Sequence, residues 1–214
     1  MRMIFAVLPV KDPRNAKQRL NGLLAPAGRE ALARAMFEDV LAKLCAARGI
    51  DRIAVATSDA RAAQCARQAG ALVFEEREQR GHSESADAAA RRAMELGARS
   101  VLLVPIDVPL ATTAEFETLA AAARPGVVVV PSADGAGTNA LVRTPPDVIP
   151  SRFGPGSFRK HCDEARLRGA GLAVMRPPGL VFDIDTPEDA AELLRRAPEC
   201  RAARILGELC GSRL

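Results

Sequence analysis

Met3-Ile4-Phe5-Ala6-Val7-Leu8-Pro9-Val10 is an almost unbroken apolar run close to the start of the chain. A strand with one wet face alternates polar and apolar residues, whereas a strand covered on both faces does not, so this run reads as a buried strand of a parallel sheet. The next forty residues fit that assignment. A loop carries Lys11, Arg14, Lys17 and Arg19, and from about residue 28 to 48 Leu32, Met36, Val40, Leu41 and Leu44 recur at helical spacing, with Gly49 as the stop. Strand and helix then alternate: strand 53–57, helix 59–68, strand 71–74, Ala-rich helix 83–96, strand 101–106. Thr112 and Glu115 are spaced as a capping box that opens a helix to about residue 123, and 127–130 is another buried strand. Beyond it Gly and Pro become frequent. The chain continues with strand 139–143, helix 158–167, strands 172–175 and 181–184, and two helices, the first entered through Thr186-Pro187 as N-cap and first helical residue. This order predicts an α/β fold, a mostly parallel central sheet with helices on both faces, in a single domain over residues 1–214.

Composition narrows the class. Hydrophobic residues make up 48% and charged residues 26% of the 214, ordinary globular values. No apolar run is long enough for a membrane span, and the first ten residues lack the parts of a secretory signal, so a cytoplasmic protein with no membrane partner is the expectation. The net charge of +4 permits a nucleic-acid partner, but aromatic residues are only 3% and no block of like charges stands out; no nucleic acid is expected. Cys45, Cys65, Cys162, Cys200 and Cys210 form no C-x-x-C pair and read as buried free thiols.

In open parallel sheets, ligands sit outside the carboxyl ends of the strands. Asp107 directly follows the run 101–106. Asp183 and Asp185 flank Ile184 at the end of the strand assigned to 181–184, and side chains two apart on a strand share a face, so both carboxylates can meet one ion. Carboxylate oxygens suit Mg2+, although aspartates at strand ends also serve as caps. Thr186 already supplies a cap beside the Asp183/Asp185 pair.

Three loops add to the aspartates. Phe153-Gly154-Pro155-Gly156-Ser157-Phe158 runs into a helix whose unpaired N–H groups could hold an anion, with Ser157 as N-cap; a plain capped loop is the alternative. Asp134-Gly135-Ala136-Gly137-Thr138-Asn139-Ala140 imitates a dinucleotide fingerprint, but Leu141-Val142-Arg143 does not continue as a helix, so a substrate-binding turn fits better than a Rossmann dehydrogenase. Lys11, Lys17 and Arg19 could neutralise a triphosphate, or be solvated surface charge. His82 and His161 have no partner at metal or triad spacing and read as solvent-exposed or helix-end residues.

On these residues the chain resembles the 2-phospho-L-lactate guanylyltransferases of coenzyme F420 biosynthesis, over nearly its whole length. The resemblance is carried by Val10-Lys11, Ala16-Lys17-Gln18-Arg19-Leu20, Pro105-Ile106-Asp107-Val108-Pro109-Leu110, Gly137-Thr138-Asn139-Ala140-Leu141, Phe153-Gly154-Pro155-Gly156-Ser157-Phe158 with His161, and Asp183-Ile184-Asp185-Thr186-Pro187. It implies a nucleotide-diphospho-sugar transferase type of fold and transfer of GMP from GTP to a small phosphorylated acid: 2-phospho-L-lactate, phosphoenolpyruvate or 3-phosphoglycerate. By position, Asp107, Asp183 and Asp185 would bind magnesium and Thr138, Gly154 and Ser157 the phospho-acid. Lys11, Lys17, Arg19, Gly81 and Asp107 would lie on the nucleotide side, with Lys17 and Arg19 facing the phosphates as catalytic cations. A homodimer is compatible with this reading. The family usually has Gly-Leu-Asn where this chain reads Gly81-His82-Ser83. Other readings are a nucleotidylyltransferase for sugar phosphates or the molybdenum cofactor, a glycosyltransferase with an Asp-x-Asp metal site, and a non-catalytic nucleotide-binding module.

Overall fold

The run 4–10 is the centre of the molecule. In the structure, a computed structural model that describes residues 3–12, 17–76, 81–197 and 199–211, it forms strand β1 (Ile4–Val10), with all seven residues buried. Its side chains alternate between two cores. Ile4, Ala6, Leu8 and Val10 pack on one face of the sheet, Phe5 and Val7 on the other, which is why no polar residue is tolerated in the run.

Seven strands form one sheet in the order β3-β2-β1-β4-β6-β5-β7. Strands β2 (Arg52–Thr57), β3 (Leu72–Glu75) and β4 (Ser100–Leu103) run parallel to β1. Strand β6 (Thr138–Thr144) is antiparallel both to β4 and to β5 (Gly126–Pro131), and β7 (Leu172–Val174) closes the edge parallel to β5. The single reversed strand shapes the ligand edge. Because β6 enters the sheet from the carboxyl end of its neighbours, its first residues, Thr138 and Asn139, lie at the edge where β1 and β4 finish.

Helices α1 (Pro26–Ala46), α2 (Ala60–Gln68) and α4 (Thr113–Ala122) cover the first face, and α3 (His82–Glu95) and α5 (Ser157–Leu167) the second. Ala86, Ala89, Ala90 and Ala93 repeat at helical spacing along the buried face of α3, so only small side chains separate that helix from the strands beneath. Helices α6 (Pro187–Arg196) and α7 (Arg201–Cys210) form a third core with α1 around Leu32, Met36, Leu193 and Leu206.

Both expected N-caps are present: Thr112 and Glu115 make the capping box of α4, and Thr186, with Pro187 at the first helical position of α6, goes further and makes a capping box with Asp189. One expected strand is not. Residues 181–184 lie outside the sheet, at the end of β4, where the Ile184 N–H donates to the Asp107 carbonyl. Their apolar side chains serve packing instead: Ile184 joins the third core, next to Leu180, which closes the first. None of the five cysteines is in a disulfide, but only Cys162 and Cys210 are buried; Cys45 is exposed and Cys65 and Cys200 are half-buried, because the inward faces of their helices are filled by other residues.

Candidate active site

Asp107 and the 183–185 segment meet although they come from different parts of the fold. Asp107 follows β4, and its carbonyl accepts the Ile184 N–H at 3.0 Å. The segment is pinned on both sides: upstream the Gly179 N–H donates to Glu115 Oε1 at 2.7 Å, and downstream the N–H groups of Asp185 and Thr186 donate to Asp189 Oδ2 at 3.0 and 2.8 Å. The acidic ends of two capping boxes thus hold the segment that carries two of the three carboxylates. Asp107, Asp183 and Asp185 each offer an oxygen, and these lie within 4.8 Å of one another.

Three carboxylates this close repel, and cations and donors already answer them. The Lys17 Nζ donates to Asp107 Oδ2 and Asp185 Oδ1, both at 2.8 Å. Its backbone sits in the left-handed region, at φ 52°, which residues other than glycine seldom occupy and which clusters at functional sites. Burial by itself would lower the Lys17 pKa, yet the two carboxylates, Asp107 foremost, hold it above the ordinary lysine value. Arg19, largely exposed, stands 3.6 Å from Asp185 Oδ2. Asp183 is tied to the neutral Asn139, whose Nδ2 donates to its Oδ1 at 3.0 Å. Its pKa is raised, first by burial and then by the like charges of Asp107 and Asp185, against the opposing pull of that hydrogen bond.

The two glycine loops form the opposite wall. Gly154 and Gly156 have φ of 112° and 69°, so glycine is required at both bends. The N-cap of α5 is Gly156 rather than Ser157, and Ser157 is the buried first helical residue. The helix start is also less open than the sequence predicts. The Ser157 N–H donates to the Gly154 carbonyl at 3.0 Å and the Phe158 N–H to the Ala136 carbonyl at 3.2 Å. The second of those bonds stitches one glycine loop to the other. In the loop before β6, Ser132 Oγ accepts the Gly137 N–H at 2.6 Å and donates to Asp134, whose carboxyl is thereby held below its usual range. His161, expected at a solvent-exposed or helix-end place, is fully buried and bonded to Thr138.

A loop over residues 145–152 supports this wall from behind. Arg143, at 1% exposure, donates to Asp87 Oδ1 at 2.8 Å and to the Ile149 carbonyl at 2.7 Å, and Asp87 also accepts from the Ser151 N–H and hydroxyl. Asn139 falls inside the quoted Gly-Thr-Asn-Ala-Leu motif, but nothing in the sequence says that it binds Asp183; Arg143 lies beyond that motif in a strand pattern, and no local signal marks it as the anchor of the loop.

Between the walls lies a cleft of about 710 Å3, within the ordinary range for small-ligand sites. Asp107, Asp183, Asp185, Thr138, Gly154 and Ser157 all line it, with Arg19 and His82 at its rim. Lys17 is behind the carboxylates rather than on the wall. Lys11, just after β1, and Gly81, the N-cap of α3, do not line the cleft; His82, next to Gly81, does. Arg14 and Ala16 lie outside the described residues.

A seven-stranded sheet with an acidic trio and paired glycine loops at its ligand edge finds its match in sequence as well. The family model described as "Guanylyl transferase CofC like" matches residues 3–210. The chain belongs to this family. A phosphoenolpyruvate guanylyltransferase of Rubrobacter xylanophilus is 40% identical over 192 residues, covering 89% of this chain and 93% of that one. A 2-phospho-L-lactate guanylyltransferase of Methanothermobacter thermautotrophicus is 34% identical, covering 95% and 90% of the two chains. A 3-phospho-D-glycerate guanylyltransferase of Colwellia psychrerythraea is 35% identical, covering 86% and 87%. Among solved structures, a Desulfovibrio desulfuricans protein described as a nucleotide-diphospho-sugar transferase superposes with a TM-score of 0.77 at 18% identity, covering 97% of this chain and 95% of its own. At that identity the likeness concerns the fold, and it agrees with the type of sheet expected from the sequence.

Proposed function

We propose that this CofC-like protein is a guanylyltransferase that moves GMP from GTP to a small phosphorylated acid and releases pyrophosphate, in coenzyme F420 biosynthesis. The observation that carries the reading is the joining of two unlike walls in one cleft: carboxylates that can hold a cation with a triphosphate, and two glycine loops that present Thr138, Gly154 and Ser157.

The donor set fits magnesium. Three aspartate oxygens with no sulfur or imidazole among them suit a hard divalent ion that retains water and substrate oxygens, and two of the carboxylates already converge on a cation, the Lys17 ammonium. Bound at Asp107, Asp183 and Asp185, Mg2+ would supply charge neutralisation for the triphosphate and the departing pyrophosphate. Lys17, behind the carboxylates, would balance the charge of Asp107 and Asp185 from the protein side, and Arg19 would neutralise phosphate charge from the open side. Asn139 holds Asp183 in place without adding charge.

The chemistry needs no strong base. The attacking oxygen belongs to a phosphate monoester whose second pKa is about 6, so it is ionised at neutral pH. Two anions must instead be brought together and aligned, which is a task of positioning and electrostatics. The wall formed by Thr138, Gly154 and Ser157 orients the acceptor, while the acidic wall orients the nucleotide. The test is a pyrophosphate-release assay with GTP and other nucleotides against phosphoenolpyruvate, 2-phospho-L-lactate and 3-phosphoglycerate, with the product weighed by mass spectrometry. Pyrophosphate release dependent on one acceptor, with the mass of its guanylylated form, is the expected result; no acceptor-dependent release with any pair would sink the proposal.

A further inference from the structure

His161 is fully buried, at 0% exposure, in a protein with only two histidines, and both its ring nitrogens are engaged. Nε2 lies 2.8 Å from the Arg152 backbone nitrogen. A backbone N–H can only donate, so Nε2 must accept and carries no proton. Nδ1 lies 3.0 Å from Thr138 Oγ1. The single proton of the neutral ring is therefore on Nδ1, and that bond runs from histidine to threonine.

On balance the surroundings of the ring favour this state. The imidazole pKa is pushed down to about 4, first by burial and then by the nearby Arg143 charge, against the weaker opposing pull of Asp87 and Glu164. Protonation would set a second N–H against the Arg152 N–H. The Phe153 ring packs edge-on at 5.1 Å and 72°, which fixes the ring plane. The Arg152 N–H is itself held in place by the loop that Arg143 and Asp87 anchor.

The consequence falls on Thr138. A hydroxyl has one hydrogen to give, and the lone pair facing His161 is already occupied by the Nδ1 proton. The hydroxyl hydrogen must point elsewhere, and among the described residues no protein group accepts it. Thr138 lines the cleft. We infer that His161 is a positioning residue that locks the Thr138 hydroxyl as a hydrogen-bond donor aimed at an oxygen of the anionic acceptor. The inference rests on the function proposed above and adds to it a residue that never touches substrate. An unconstrained threonine would spend part of its time presenting a lone pair, which repels a phosphate or carboxylate; the locked one does not.

The test compares His161→Leu, His161→Asn and Thr138→Val. Leucine removes the donor. Asparagine can place its amide N–H where Nδ1–H stood. For Thr138→Val the acceptor KM should rise about ten- to hundredfold, the cost of a hydrogen bond to a charged group; for His161→Leu it should rise about threefold, as the freed hydroxyl samples three staggered positions, with the GTP KM unchanged, and His161→Asn should recover most of that loss. In the Thr138→Val background, His161→Leu should add nothing further. Equal rises in both KM values, no rise, or additive effects would overturn the inference, because a residue with a purely structural role would not single out the acceptor through Thr138. Nitrogen-15 NMR of the histidine ring decides the tautomer independently of activity. Protonated Nδ1 with bare Nε2 is expected, and the reverse overturns the lock even if the enzyme is active. A wild-type protein that turns over no acceptor would overturn the function and the acceptor part of this inference together, and NMR would then still report on the tautomer alone.

Discussion

The two walls of the cleft solve opposite physical problems. The acidic wall concentrates three carboxylates, each partly solvent-exposed, whose mutual repulsion is relieved by Lys17 and by the neutral amide of Asn139. The glycine wall presents a single carboxylate to the cleft, Asp134, which is already bonded to the Ser132 hydroxyl and the Ala136 N–H of its own loop. Ser157, Thr138 and His161 are buried, and both ring nitrogens of His161 are bonded before any ligand arrives, which leaves the Thr138 hydroxyl hydrogen for the ligand. One wall is poised by charge and the other by geometry. Substitutions on the first should therefore act on the chemical step and be rescued or worsened by cations, whereas those on the second should act on acceptor recognition and stability.

The largest effect should come from the acidic wall. Loss of groups that merely orient a metal ligand costs about 10–100-fold in activity, so removing a ligand should cost more. Asp183→Asn or Asp107→Asn should lower turnover by about 10³-fold while circular dichroism and the melting temperature stay close to wild type. Asp183→Asn with unchanged turnover would break the assignment of that wall.

Next in size is a pH effect confined to the glycine wall. His161 titrates near 6.5 when unfolded and is pushed down to about 4 when folded. Between those values the unfolded chain takes up a proton that the folded chain refuses. The stability it provides is complete above the unfolded value and is lost as pH falls through the window, about 3 kcal/mol in all. Urea denaturation of wild type and His161→Asn from pH 4 to 8 should give a stability difference that changes across this window. A constant difference would show that the ring is not held neutral by the wall.

Gly137→Ala tests the geometry more gently. A Cβ there would lie 2.8 Å from Ser132 Oγ, the atom that accepts the Gly137 N–H. The loop must shift, and the acceptor KM should rise by about tenfold, the worth of about one hydrogen bond, while the GTP KM holds. If the GTP KM rises instead, the walls have been assigned to the wrong substrates. The smallest effect belongs to Arg19→Ala. The side chain is largely exposed and its pairing with Asp185 is long, so stability should be unchanged and the GTP KM should rise only about threefold, more at low salt than at high.

The parallel half of the fold is legible in the chain because burial on both faces forbids polar residues. The runs 4–10 and 101–106 and the repeats of α1 and α3 announce themselves by composition and period alone. The caps at Thr112 and Thr186 are equally local, since a capping box is a matter of residue types three apart. Asp107 is visible for a similar reason, because it sits where a buried run stops. Yet the assigned strand 181–184 is not in the sheet, because apolar residues such as Ile184 pack just as well against helices, and a short run does not say which surface will cover it.

Most elements and the motifs are thus written locally in the chain, while the way the motifs face one another belongs to the assembled sheet. Nothing in the residues 138–144 says that their strand runs against β4, but that reversal carries Thr138 and Asn139 to the end where Asp107 lies. Nothing near His161 says that its partners are Thr138 and the Arg152 backbone, 23 and 9 residues away. Hydrogen bonds between distant segments depend on register and direction set by the whole sheet, and a local pattern contains neither.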